Sequence, residues 1–227
     1  MSAFKLKIIA ITAMTCNHIA HAFDGYLPVY LHALLYVAGG LTFPIMACLM
    51  IEGYQKTSSI KKYMLRLLVF GVLAVFPFIL VFKVPMLNVL FTFLFGLICL
   101  YLRDRMKSRA MFGLCFTGIV CFTVFCDWPF VGVIMIMMYG TLKTPNLRLF
   151  LTASMPLLIL VPLQILVSGW STALLPDIGF SLVVFGSIPL LMAYNGERGY
   201  SPRSLRYLFY IYYPAHLLVI GAAAWLI

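Results

Sequence analysis

The chain has 227 residues, of which 64% are hydrophobic and only 10% charged, with a mean hydropathy of +1.06. That excludes an ordinary soluble domain, in which about a quarter of the residues are charged, and indicates a polytopic membrane protein in a lipid bilayer. The formal charge of +10 comes from basic residues scattered through short loops with no RNA or DNA motif beside them, so it reports membrane orientation and not a nucleic-acid partner.

The first apolar stretch, residues 7–24, carries polar groups that a mere anchor would not need. Basic residues precede it, as in a signal peptide, but no small-residue cleavage site follows, and Asn17, His18 and His21 interrupt the apolar run. A retained span is expected, with no soluble domain before or after the spans. On a helix, Lys7 and His18 are eleven residues apart and therefore fall within about 20° of one face, separated by roughly 16 Å along the axis. Lys7 then lies at a membrane surface and His18 well inside. Thr15, His18 and His21 follow at spacings of three, a polar stripe that is costly against lipid and must face protein or a water-filled cavity.

Further apolar runs follow at residues 29–51, 63–83, 86–102, 110–126, 128–142, 147–168, 178–194 and 207–226. With the first run, taken as 8–23, they predict an all-α protein: a transmembrane helical bundle of about nine spans, the amino terminus cytoplasmic. The runs on either side of Asp127 are short enough to form a re-entrant hairpin instead, which leaves seven spans and the same parity. With the amino terminus inside, fifteen of the sixteen basic residues, Arg203 and Arg206 among them, fall on the inner side, and only Lys83 falls outside. No repeat or linker divides the sequence, so residues 1–227 form a single integral-membrane domain. Pro44, Pro77, Pro156, Pro162, Pro189 and Pro214 lie inside runs and are expected to kink helices around a cavity. The six cysteines sit in or at the ends of apolar runs without a CxxC pair, and read as small buried residues.

An ionisable group near mid-membrane is a functional candidate by default, which puts His18 first: a neutral buried imidazole can act as general base. The plainer reading is a histidine hydrogen-bonded between two helices. Asn17 points about a quarter-turn away and is placed to bridge to a neighbouring helix. His21 could orient toward Asp24. A metal held by His18, His21 and Asp24 has no HExxH or similar signature in its support. His32 reads as interfacial, whereas His216, with Tyr213 and Tyr210 partly on its side of the last run and Pro214 loosening the backbone, is a candidate for the polar cavity. Between the second and third runs, Glu52 could pair with Arg66. Lys61, Lys62 and Arg66, with the loop 103–109, form a candidate landing place for a phosphorylated cytosolic donor, although any inner loop is basic.

The segments LKIIAITAMTCNHI (6–19), FPIMACLMIEGYQKT (43–57), KKYMLRLLVF (61–70), LNVLFTFLFGL (87–97) and LFYIYYPAHLL (208–218) together resemble the TraX family, membrane proteins related to the conjugal pilin acetylase. More distantly, the basic-x10-His spacing of Lys7 and His18 is similar to that of membrane acyltransferases. Two positions depart from the family pattern. Asn17 stands where an Asp usually precedes the histidine, and Gly40 stands where a basic residue often precedes the FP motif.

The resemblance implies an N-acetyltransferase of a bacterial-type cell membrane that takes acetyl from cytosolic acetyl-CoA. Lys7, Lys61, Lys62 and Arg66 would hold the donor, and His18, beside Asn17, would act on an amino group of a pilin or peptide acceptor. Thr15, His21, Glu52, Tyr213 and His216 would line the acceptor cavity. Three other readings stay open: O-acetylation of an envelope glycan, a small transporter or exporter with an intramembrane histidine relay, and a non-catalytic assembly partner, which Asn17 in place of Asp keeps alive.

Overall fold

The computed structural model describes residues 1–200 and 202–226, with the side chains at 203–206 excepted. Arg203 and Arg206, assigned to the inner side from sequence, therefore lie outside the described side chains. Thirteen α-helices carry the described chain: α1 (Ala3–Ala22), α2 (Val29–Ala38), α3 (Thr42–Lys56), α4 (Ile60–Leu73), α5 (Val75–Phe82), α6 (Val89–Arg105), α7 (Arg109–Phe122), α8 (Val131–Thr141), α9 (Pro145–Met155), α10 (Val161–Ser168), α11 (Leu175–Val183), α12 (Ser187–Met192) and α13 (Arg203–Trp225). No strand occurs among the described residues.

All nine apolar runs fall on helix, but their lengths do not give nine crossings. Among the described residues, four helical stretches are long and apolar enough to cross a membrane: Val29–Lys56, Pro145–Ser168, Thr172–Met192 and Tyr207–Trp225. The α4–α5 pair, bent by 48° at Ala74, makes a fifth if counted as one span. A helix of 11 residues such as α8 reaches only about 17 Å at 1.5 Å per residue, short of a hydrocarbon core of about 30 Å. Together with the exposed apolar side chains of α4, α7 and α10, such as Val72, Leu114 and Leu166, these helices make the protein a multi-pass membrane protein.

The prolines act where the sequence places them. Pro156 opens a π-helical turn, Pro156–Leu160, that joins α9 to α10, and Pro77 lies just beyond the bend between α4 and α5. Pro44 and Pro214 are accommodated inside α3 and α13.

α1 is the helix around which the others gather, packing against α2, α3, α5 and α13. It has no single apolar stripe, as expected of a helix enclosed on several sides. Ala10, Ala13, Ala20 and Ala22 are buried along it and let neighbours come close. A Cβ on Gly39 would stand 2.6 Å from that of Asn17, so only glycine permits this crossing. Thr42 donates to the Ala10 carbonyl at 3.2 Å, tying α3 to the middle of α1. A second anchor is Asn88, fully buried. It caps α6 by accepting from Leu90 N–H at 3.1 Å and donates to the Gly71 carbonyl of α4 at 2.8 Å.

Candidate functional site

Beside α1 runs a cavity of about 640 Å3 whose lining includes α1 residues from Ala3 to His21. Eighteen helical steps of 1.5 Å separate these two residues, so it runs about 27 Å along the helix. Both Lys7 and His18 line it, as their shared face requires.

At the end nearest the start of α1, Lys7, Lys56, Arg66 and Arg198 line the cavity, with Glu52 as the carboxylate among them. This mouth is assembled from four chain segments, α1, the end of α3, α4 and residues 195–198. The N-terminal turn of α1 bonds to residues 195–198 through Ala3 N–H to the Glu197 carbonyl at 2.8 Å and Phe4 N–H to Arg198 at 3.1 Å. The end of α3 joins through Lys56, which donates to Glu52 and lies 3.4 Å from the Gly196 carbonyl. Glu52 also accepts from the Tyr194 hydroxyl, so it is occupied by Lys56 and Tyr194 and makes no ion pair with Arg66 among the described residues. Arg66 instead lies against the rings of Tyr63 and Tyr210, 5.5 and 5.9 Å from their centroids, and its Nε is buried without a hydrogen-bond partner. Lys7 rests over Phe209 at 5.1 Å. Lys61 and Lys62 are exposed at the start of α4 and do not line the cavity, whereas Lys56 and Arg198 do.

Deeper along α1, His18 is 5% exposed and lies beside His216 of α13, the Nδ1 to Nε2 distance being 2.7 Å and the ring planes 12° apart. His216 Nδ1 stands 2.7 Å from the Tyr212 carbonyl. A carbonyl only accepts, so His216 Nδ1 carries the proton and donates to it. Its Nε2 must then accept from His18 Nδ1–H. This chain leaves His18 Nε2 unprotonated in the neutral ring, with a lone pair and no hydrogen-bond partner among the described residues. The rings of Phe82 and Tyr213 pack against the His18 ring in T-shaped contacts, with centroids 5.3 and 6.2 Å away.

His216 thus stands behind His18 and not in the cavity lining, while Tyr213 does line it. Thr15 also points away, bonding to the Tyr212 hydroxyl at 2.8 Å and to the Ile11 carbonyl at 2.9 Å. Asn17 lines the cavity and donates to the Tyr36 carbonyl at 2.8 Å, the interhelical bridge expected of it. His21 lines the cavity against the rings of Phe82 and Tyr36, and Asp24 faces His32 at 3.4 Å instead of His21. Among the described residues no three His, Cys, Asp or Glu side chains are placed to hold a metal.

The far end holds residues that the sequence reading passed over. Tyr36 donates to Asp177, which also accepts from Gln164 at 3.0 Å, closing α2, α10 and α11 around that end. Asp127 and Trp128 line the cavity there. The one signal for Asp127 was its position as the sole charge between two apolar runs.

A family model described as TraX protein matches residues 2–223. A protein of Dichelobacter nodosus described as a probable fimbrial assembly protein FimC, serogroup H1, is 31% identical over 248 residues, covering 98% of this chain and 95% of that protein. No solved structure matches the chain.

Proposed function

The chain belongs to the TraX family, and from that premise we propose that it is a membrane acetyltransferase moving acetyl from cytosolic acetyl-CoA to an amino group of a pilin or peptide acceptor. The observation that carries this reading is the bare Nε2 of His18, held by His216 and the Tyr212 carbonyl, in the same cavity as a mouth of four cations. The D. nodosus relative, named as a probable fimbrial assembly protein, supports a pilin acceptor.

In this reading the basic end faces the cytoplasm, which also obeys the positive-inside rule. The donor is a substrate that supplies an activated acetyl thioester. Lys7, Lys56, Arg66 and Arg198 hold its phosphates, and the unpartnered Nε of Arg66 offers a charge-assisted bond to a phosphate oxygen. Lys7 and His18 are about 16 Å apart along α1, comparable to the reach of an extended pantetheine arm.

His18 Nε2 takes the proton as the acceptor nitrogen attacks the acetyl carbonyl carbon. The C–N bond forms, the C–S bond breaks, and the proton passes to the departing thiolate, giving an amide and free thiol. An α-amino group, with a pKa of about 8, is partly neutral at pH 7, so one base of modest strength is enough.

His18→Ala should abolish acetyl transfer while the protein still inserts in the membrane. The measurement is intact mass of exported pilins and peptides from cells carrying either form. Unchanged acetylation in the variant removes His18 from the reaction. A gradient-driven flux through sealed vesicles with no acetyl product would favour the transporter reading instead.

A further inference from the structure

The cavity lining is divided by charge along its length. Four cations stand at the α1 start, and their companion Glu52 is already occupied. Away from that mouth the lining carries one carboxylate among the described residues, Asp127, since Asp177 is set back and held by Tyr36 and Gln164, and no other Lys or Arg lines the cavity.

Asp127 is held rigidly. Its segment folds back into the bundle through a parallel bridge between Leu87 and Cys126. Asp127 N–H donates to the Leu87 carbonyl at 2.6 Å, and its carbonyl accepts from the Thr92 hydroxyl. With the backbone pinned at both groups, the carboxylate has no basic side chain within ion-pair distance among the described residues. Partly open to the cavity and facing the Trp128 N–H, the carboxylate carries its charge at lower cost when a cation pairs with it.

The next residue builds the wall around it. Trp128 has φ of 55°, a left-handed conformation unusual for a large side chain. The turn lays its indole on Phe43, centroids 4.3 Å apart and planes at 18°, with Phe180 at 5.7 Å. Gly132 allows this close fit, since a Cβ there would stand 3.0 Å from Trp128 Cβ. An acidic group beside aromatic faces binds an organic cation, the charge paired to the carboxylate and the flank to the rings.

We propose that Asp127, walled by Trp128, Phe43 and Phe180, binds the α-ammonium group of the acceptor peptide. This subsite rests on the acetyl-transfer reading for its role: it captures the peptide as the ammonium in the cavity that His18 also lines, and the nitrogen attacks once it has released that proton. Donor phosphates and acceptor ammonium then occupy separate parts of one cavity, each drawn by the charge it lacks.

The test uses the full chain in lipid nanodiscs and a hexa-alanine amide in three forms: free α-amino group, Nα-acetyl, and Nα-acetyl with one alanine replaced by lysine. Binding is measured without acetyl-CoA. The wild-type protein should prefer the free α-amino peptide to the Nα-acetyl one by about 30-fold or more, as loss of a buried charge pair requires. D127N, nearly isosteric, should lose that preference while still binding coenzyme A as the wild type does, which shows that the variant is folded. D127E should keep part of it. Equal wild-type binding of the first two peptides, or a preference that survives in D127N, overturns the proposal. Equal binding of the lysine peptide and the α-amino peptide overturns the α-ammonium assignment. An Asp127-dependent preference without any acetylated product on adding acetyl-CoA supports the subsite and defeats the acetyl-transfer reading.

Discussion

Replacing His216 tests the proton chain without touching the cavity lining. In His216→Phe the ring remains, so the packing of α13 against α1 is largely kept, but His18 Nδ1–H loses its acceptor. A buried hydrogen bond of this kind is worth about 1–3 kcal/mol when one partner is left unsatisfied. Nothing then selects the tautomer with Nε2 bare, and His18 spends part of its time with the proton on the nitrogen that must receive one. A loss of 1.4 kcal/mol is about tenfold, so kcat should fall about 10- to 100-fold. A histidine whose orienting partner is lost can fall by as much as about 10,000-fold, which sets the upper bound. The KM for acetyl-CoA should not move, because the basic mouth lies about 16 Å away along α1. His216→Gln should recover much of the loss: its amide oxygen can accept from His18 and its NH2 can donate to the Tyr212 carbonyl. The assay is acetyl transfer to an amine peptide in proteoliposomes, with kcat and KM resolved for all three proteins. A kcat for His216→Phe within twofold of wild type, or a Gln variant as impaired as the Phe variant, refutes the tautomer argument.

Other positions give separate expectations. Arg66→Ala should raise the KM for acetyl-CoA at least tenfold while Lys61→Ala and Lys62→Ala leave it unchanged, since only the first faces the cavity; steady-state kinetics with varied donor checks this. Asn88→Ala removes the α6 cap and leaves the Gly71 carbonyl unpaired, a loss of about 2–4 kcal/mol seen as a lower midpoint on thermal unfolding in detergent. Lys83 ends α5 with φ of 56°, so Lys83→Gly should stabilise by about 1 kcal/mol in the same measurement.

The helices were legible because each is written in a local apolar run, and the shared face of Lys7 and His18 because it depends only on helical pitch. Crossing number was harder to read. Apolar length cannot distinguish a lipid-facing span from a helix such as α6, which is enclosed by neighbours and carries nine buried residues. The partners of the polar groups were also out of reach. His18 and His216 are 198 residues apart in sequence, and helical periodicity gives the side each occupies without saying which two sides meet. Glu52 illustrates the converse error: Arg66 was a plausible partner by proximity in the chain, yet Tyr194, 142 residues away, reaches it.

The two departures from the family pattern have a common structural logic. At position 17 a carboxylate would have been one means of orienting the histidine. Here the orientation comes from His216, and Asn17 instead joins α1 to α2 through the Tyr36 carbonyl. At position 40 the backbone comes so near α11 that a Cβ would lie 2.5 Å from the Phe180 carbonyl. A basic side chain cannot be restored there without moving α11, and with it the Phe180 ring that faces Trp128. Gly40→Arg should therefore destabilise the fold by at least about 2 kcal/mol, in the range of overpacked cores. It should also weaken binding of the α-amino peptide, while Asn17→Asp, which fits in space but loses the donor to the Tyr36 carbonyl, should cost about 1–3 kcal/mol of stability. If Gly40→Arg unfolds at the wild-type temperature and binds the peptide normally, the close approach of α11 to position 40 does not set the shape of the acceptor end.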